Sequence, residues 1–153
     1  GRGDTNSATT LINEINLGRY IVNYSGHGST GVWAASSFFG VNSVPQLTNA
    51  NRLSLFTMLT CLNGYFVSPY ADSLAEKLHN AQNGGSVMSW ASTGKTTPDI
   101  QMIMATRFYE QLALGNIKRM GDLVRDAKAQ IPGGSDVRYS WVLLGDPMLK
   151  VRQ

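Results

Sequence analysis

The stretch Asn23–Thr30, NYSGHGST, sets His27 between two glycines, and the only cysteine of the chain, Cys61, follows 34 residues later in LTCLNGYF. A thiol is a weak nucleophile until it loses its proton, and an imidazole within reach can take that proton or stabilise the thiolate. His27 and Cys61 are therefore candidates for covalent attack on a carbonyl carbon. Glycines beside them let a peptide backbone approach closely, and the main-chain amides of Gly28 and Cys61 are the expected donors to the oxyanion that such an attack creates. Each residue also has a plain reading. A lone cysteine near an apolar run is a small core side chain, and a lone histidine in a loop is a hydrogen-bonded surface group. The second histidine, His79, falls near the end of a helical stretch, where the helix dipole explains it.

The elements that must position the pair can be read from spacing. Arg19–Ser25, RYIVNYS, and Leu53–Thr60, LSLFTMLT, read as buried strands that end at the glycines around His27 and at Cys61. Gly84–Ser92, GGSVMSWAS, is a third strand. Helical spacing covers Ser7–Asn16, Ser73–Ala81, Pro98–Leu114 and Met120–Ile131, with Ser73 and Glu76 in capping-box register and Pro98 at a helix start. The segment Trp33–Asn51 is looser, with a short helical turn near Val41–Leu47. Pro132, Gly133 and Gly134 form a turn. Asp146-Pro147 breaks the closing stretch YSWVLLGDPMLKV, whose last residues are expected to add a strand. Apolar strands alternating with amphipathic helices predict an α/β fold with a mostly parallel sheet covered on both faces. Ligands bind such sheets at the carboxyl ends of the strands, where His27 and Cys61 both fall.

Composition narrows the function classes. The 153 residues carry a net charge of +3, with 42% hydrophobic and 15% charged residues, as expected of one globular domain over 1–153. The basic residues are scattered, so no nucleic-acid partner is expected. No apolar run approaches the roughly 20 residues of a membrane-spanning helix. One cysteine and two histidines are too few for a disulfide framework or a structural zinc site. The N-terminal GRGDTNSATT has neither the basic start nor the apolar core of a signal peptide, and its RGD reads as coincidence. Gly94, Lys95 and Thr96 match the end of a phosphate-binding loop, but Ser89 stands where the first glycine is needed. Neither GHGST nor GGSVM supplies a G-x-S-x-G elbow.

Taken in order, YSGHGS, LTCLNGYF, SLAEKL, GGSVMSWAST and LLGDPMLKV resemble the catalytic half of the gingipain-type cysteine peptidases, family C25 of the caspase-like clan, from about Leu17 to Val151. The resemblance implies a caspase-like three-layer α/β sandwich and a His27–Cys61 dyad that cleaves peptide bonds through an acyl-enzyme. It implies an oxyanion hole from the amides of Gly28 and Cys61, with the histidine protonating the leaving amine. By analogy Trp90, Ser92 and Thr93 wall the pocket for the residue before the scissile bond; core packing is an equal reading of Trp90. Asn63 and Gly64 would shape the turn behind the nucleophile, and Asp146 with Pro147 a structural turn or cap.

Nothing here matches the carboxylate that gingipains place near their histidine, or the acidic residue that sets their arginine preference, both of which lie upstream in the family. The chain is thus expected to be an N-terminally incomplete fragment that lacks the first strands of the sheet. No cofactor is required for the chemistry, no metal ligands are assigned, and structural calcium enters by resemblance alone. The expected partners are a peptide or protein substrate and other domains of a larger surface protein, secreted or held at the bacterial cell surface. The competing reading is a catalytically inactive caspase-like module with a structural or interaction role.

Overall fold

The computed structural model describes residues 5–34, 38–133 and 136–151; the RGD tripeptide and Gly134 of the expected turn lie outside the described residues. The elements in chain order are α1 (Thr5–Asn16), β1 (Ile21–Ser25), β2 (Gly28–Ser29), β3 (Val32–Trp33), β4 (Phe39–Gly40), β5 (Ser54–Leu59) and α2 (Leu74–His79). They continue with β6 (Ser86–Ser92), α3 (Pro98–Leu114), α4 (Met120–Ala129), α5 (Val137–Ser140) and β7 (Trp141–Gly145). The main sheet has the order β1-β5-β6-β7. Its first three strands are parallel, and β7 runs antiparallel to β6.

β5 shows why the sheet lies in the middle. All six of its residues are buried, as an interior parallel strand covered on both faces must be. Successive side chains alternate between faces. Leu55 and Leu59 join Met104, Phe108 and Leu123 from α3 and α4. Phe56 and Met58 join Ile15, Leu74 and Leu78 from α1 and α2. Each such side chain contributes about 1.5–3 kcal/mol by burial, and the alternation builds two cores on one strand. The result is the expected three-layer α/β sandwich.

The helix ends follow local chemistry. Ser73 and Glu76 form both halves of the capping box at α2. Pro98 opens α3, and Gly115 closes it in the left-handed conformation at φ 66°. The first amides of α4, from Met120 and Gly121, donate to the carbonyls of Leu149 and Pro147. Asp146 accepts from the Met148 amide at 2.8 Å, so Asp146-Pro147 forms the structural turn expected of it and brings those carbonyls into place.

The last strand differs from its expected position. It is Trp141–Gly145, ahead of Asp146, and beyond Pro147 only an isolated bridge joins Lys150 to Arg119. The Asp146 turn reverses the chain toward α4 and leaves residues 148–151 without a partner strand. A second difference lies in the segment read as loose, where β2, β3 and β4 form a small antiparallel sheet. Strands of two residues have no periodicity to detect, and their order comes from packing around Trp33. The expected helical turn is a 3-10 turn at Val44–Gln46.

Candidate active site

β1 and β5 are parallel neighbours with Ser25 opposite Leu59, so the two chains leave the sheet at the same end, with His27 and Cys61 two residues further along each. The loop after β1 is laced to the loop after β5 on both sides of the histidine. The Gly26 amide donates to the Leu59 carbonyl at 3.2 Å. On the other side Gly28 lies so close to Thr60 that a methyl group there would overlap Thr60 Oγ1 and come within 3.0 Å of the Val32 carbonyl oxygen. Glycine is needed at 28 for this close approach. His27 itself is exposed and Cys61 is half-buried.

Asn63 ties the two loops together from below. Its side chain is fully buried. Its Oδ1 accepts from Trp33 Nε1 at 2.9 Å, and its Nδ2 donates to the Ser29 carbonyl at 2.5 Å. Trp33 stacks on Tyr24 at 4.5 Å and 7°, and the Tyr24 hydroxyl donates to the His27 carbonyl at 2.8 Å. Burial raises the Tyr24 pKa, opposed by the hydrogen bond with the Ala34 backbone, so the phenol remains a protonated donor at neutral pH. A continuous bracket of Tyr24, Trp33 and Asn63 thus fixes the His27 loop against the turn that carries Cys61. Asn63 shapes that turn as expected, but does so by spanning both loops.

The chain bends sharply after the cysteine. Leu62 holds φ 62°, a left-handed conformation that costs a β-carbon-bearing residue about 1–2 kcal/mol. Its amide is anchored on the Gly94 carbonyl at 3.2 Å. The Cys61 thiol meets the backbone of Thr96: the Thr96 amide donates to Sγ at 3.4 Å and the thiol donates to the Thr96 carbonyl at 3.6 Å. The Gly94–Thr96 segment that mimics a phosphate loop therefore folds over the sulfur. The Cys61 amide has no acceptor among the described residues, whereas Thr60 and Leu62 on either side donate to Met58 and Gly94.

Trp90, Ser92 and Thr93 take other places. β6 turns Trp90 toward α3, where it is 0% exposed, 4.8 Å from Phe108 and 6.1 Å from Trp141 between ring centroids. That is the core-packing position, and full burial keeps the indole from walling an open pocket. The Ser92 hydroxyl is also buried and bonds both the amide and the carbonyl of Gly94. The Thr93 amide and hydroxyl both donate to the Ser140 carbonyl. The cavity that does open beside the candidate site lies between the ends of β1 and β5 and the first turns of α3, and Gln101 is among its walls. Tyr24, Trp33 and Gln101 were not singled out by sequence, and Thr96 stood out there only as part of a phosphate-loop mimic. Of the first three only Tyr24 left a signal, sharing with Val22 one face of a period-2 strand.

No three His, Cys, Asp or Glu residues that could hold a metal ion come together among the described residues. No helix among them is long and apolar enough to cross a membrane.

Residues 1–152 match the family model for peptidase family C25. Gingipain R2 of Porphyromonas gingivalis is 29% identical over 93% of this chain, which spans 21% of that protein. Gingipain R1 from the same species is also 29% identical, with 15% of its length spanned. Among solved structures, the Arg specific cysteine proteinase gingipain R superposes with a TM-score of 0.86 at 30% identity, over 95% of this chain and 36% of that one. A complex of the Porphyromonas gingivalis RgpB pro- and mature domains superposes with a TM-score of 0.87 at 29% identity, covering 95% and 37%. The chain spans about a fifth or less of the curated relatives it matches and a little over a third of the solved chains. With a family model matching nearly every residue and two solved relatives sharing its architecture, this chain belongs to peptidase family C25.

Proposed function

We propose that the protein containing this chain is a cysteine endopeptidase in which Cys61 is the nucleophile and His27 its acid/base partner. The observation that carries the reading is the lacing of the two loops at neighbouring carboxyl strand ends: Gly26 to Leu59, Gly28 against Thr60, and Asn63 to Ser29. In the reaction the thiolate sulfur bonds to the scissile carbonyl carbon, and the oxygen becomes the oxyanion of a tetrahedral intermediate. The amides of Cys61 and Gly28 stabilise that oxyanion, and the unengaged Cys61 amide supports this role. His27 gives a proton to the departing amine as the carbon–nitrogen bond breaks. Water then attacks the thioester, with the same imidazole accepting its proton, and the thiol is released.

The thiol must leave the Thr96 backbone to attack, so a bound substrate displaces that contact. Ser92 and Thr93 support the substrate pocket from behind, by holding the loop over the sulfur in shape, while Trp90 anchors β6 in the core. Substrates are peptides or proteins. The parent protein, with further domains beyond this one, acts outside the bacterial cytoplasm, secreted or at the cell surface. Digestion of a mixed peptide library by the full-length protein tests the reading. Cleavage that is lost in Cys61→Ala is expected; cleavage that survives that substitution, or none at all, overturns it.

A further inference from the structure

The segment Thr93–Thr97 joins β6 to α3 and crosses the sulfur of Cys61. Both backbone groups of Thr96 meet that sulfur, the amide donating to it at 3.4 Å and the carbonyl accepting the thiol proton at 3.6 Å. A thiol has one proton, so the one given to Thr96 is not shared with the His27 imidazole. Gly94 is tied down next to this contact. Its carbonyl accepts from the Leu62 amide, and the Ser92 hydroxyl bonds its amide and its carbonyl at 3.1 and 3.0 Å. Thr93 fixes the near end by donating its amide and hydroxyl to the Ser140 carbonyl.

Hydrogen bonds are what keep the segment in place. Gly94, Lys95, Thr96 and Thr97 contribute no side chain to either core, and Lys95 and Thr97 are exposed. A stretch without hydrophobic anchorage, held by a few bonds of modest net worth, belongs to the part of a fold that opens most readily. The covered position also carries a cost of its own. Thr96 Oγ1 is buried and has no hydrogen-bond partner among the described residues, so it gives up water and gains nothing in return. Lifting the segment returns that hydroxyl to solvent and frees the sulfur in the same movement.

Resting on the reading of Cys61 as the nucleophile, we propose that Gly94–Thr97 is a latch: it caps the thiol in the resting protein and lifts when a peptide enters. The two arrangements differ by little, since a few hydrogen bonds favour the closed one and the unpartnered Thr96 hydroxyl opposes it. A peptide backbone carries one N–H and one C=O per residue, the two kinds of group that the Thr96 backbone needs once it leaves the sulfur. A small electrophile or oxidant carries no such pair. The latch therefore guards the thiol against small reagents between turnovers while yielding to the substrate.

The test is the rate at which iodoacetamide modifies Cys61 in the full-length protein, followed by peptide mapping. Ser92→Ala removes two hydrogen bonds that hold Gly94 and should speed modification by about 10-fold. Thr96→Val keeps the backbone contacts and the side-chain shape but deletes the unpartnered hydroxyl, so the closed position gains and modification should slow by about 5-fold. The opposite signs separate a latch from general loosening, which would speed the reaction in both. Should Ser92→Ala fail to fold, Thr96→Val decides alone. Modification of Thr96→Val at or above the wild-type rate, or of a folded Ser92→Ala at or below it, overturns the latch. Neither rate depends on His27 or on turnover: peptidyl labelling of Cys61 that is unaffected by His27→Ala overturns the peptidase reading, and the iodoacetamide comparison still decides whether the thiol is capped.

Discussion

Replacing Gly28 by alanine tests how tightly the two loops are laced. The added methyl overlaps Thr60 Oγ1, sits 3.0 Å from the Val32 carbonyl oxygen and 3.3 Å from Thr60 Cβ. Two of these neighbours are short side-chain atoms next to the backbone and the third is backbone itself, so no flexible end can swing aside. Relief requires the His27 loop or the end of β5 to move by about 1 Å, and a shift of about 1 Å at a catalytic group costs on the order of 100-fold in rate. Overpacking of this kind costs about 1–3 kcal/mol. At roughly 2–4 °C per kcal/mol for a domain of this size, Tm should fall by about 2–12 °C. Thr60 Oγ1 has no hydrogen-bond partner among the described residues, so Thr60→Ala removes the obstacle without breaking a hydrogen bond. In that background the alanine at 28 should cost less than half as much, a coupling of at least about 0.5 kcal/mol. Thermal unfolding of the four proteins gives the cycle, and peptide hydrolysis gives the rate. Gly28→Ala with unchanged Tm and rate, or a penalty that Thr60→Ala does not reduce, would refute the contact.

Three further outcomes rest on the same structure. Asn63→Ala leaves the Trp33 N–H and the Ser29 carbonyl without their buried partner; it should cost about 3 kcal/mol in urea unfolding and lower kcat more than it raises KM. Trp90→Ala should cost about 3–5 kcal/mol as a core truncation, whereas Trp90→Phe should cost less than half of that because the buried indole N–H has no partner to lose; equal activity loss in both without a stability change would place Trp90 at the substrate instead. Arg107 bridges α3 and α4 through two hydrogen bonds to Asp126, at 2.6 and 3.1 Å, which hold the Asp126 pKa below its ordinary value. This contribution is present above the unfolded pKa near 3.9 and is lost as pH falls through the lower folded value, so the Tm gap between wild type and Arg107→Ala should close progressively below about pH 4.

The sequence made the periodic elements and the two candidate side chains legible, because both are local properties. β5 reads as a buried strand from its own six residues, and α3 from Pro98 to Gly115 carries its start and stop signals in place. His27 and Cys61 are conspicuous by type and by their position at strand ends. What holds them was hidden, since it depends on contacts over long separations. The pairing of Trp33 with Asn63 spans 30 residues, and that of the thiol with Thr96 spans 35. β2, β3 and β4 are too short to show a period and exist because Trp33 packs between Tyr24 and Phe39. The position of Trp90 was ambiguous for a similar reason: a tryptophan in an apolar strand suits a core or a pocket wall, and only the register with β5 and the place of Phe108 decide.

The most direct measurement is the rate at which a peptidyl electrophile modifies Cys61 in the full-length protein, tracked by intact mass and peptide mapping. A dyad predicts a single adduct on Cys61 that forms at least about 100-fold more slowly in His27→Ala, with both proteins unfolding at the same temperature. Equal rates in the two proteins, or modification away from Cys61, would contradict it.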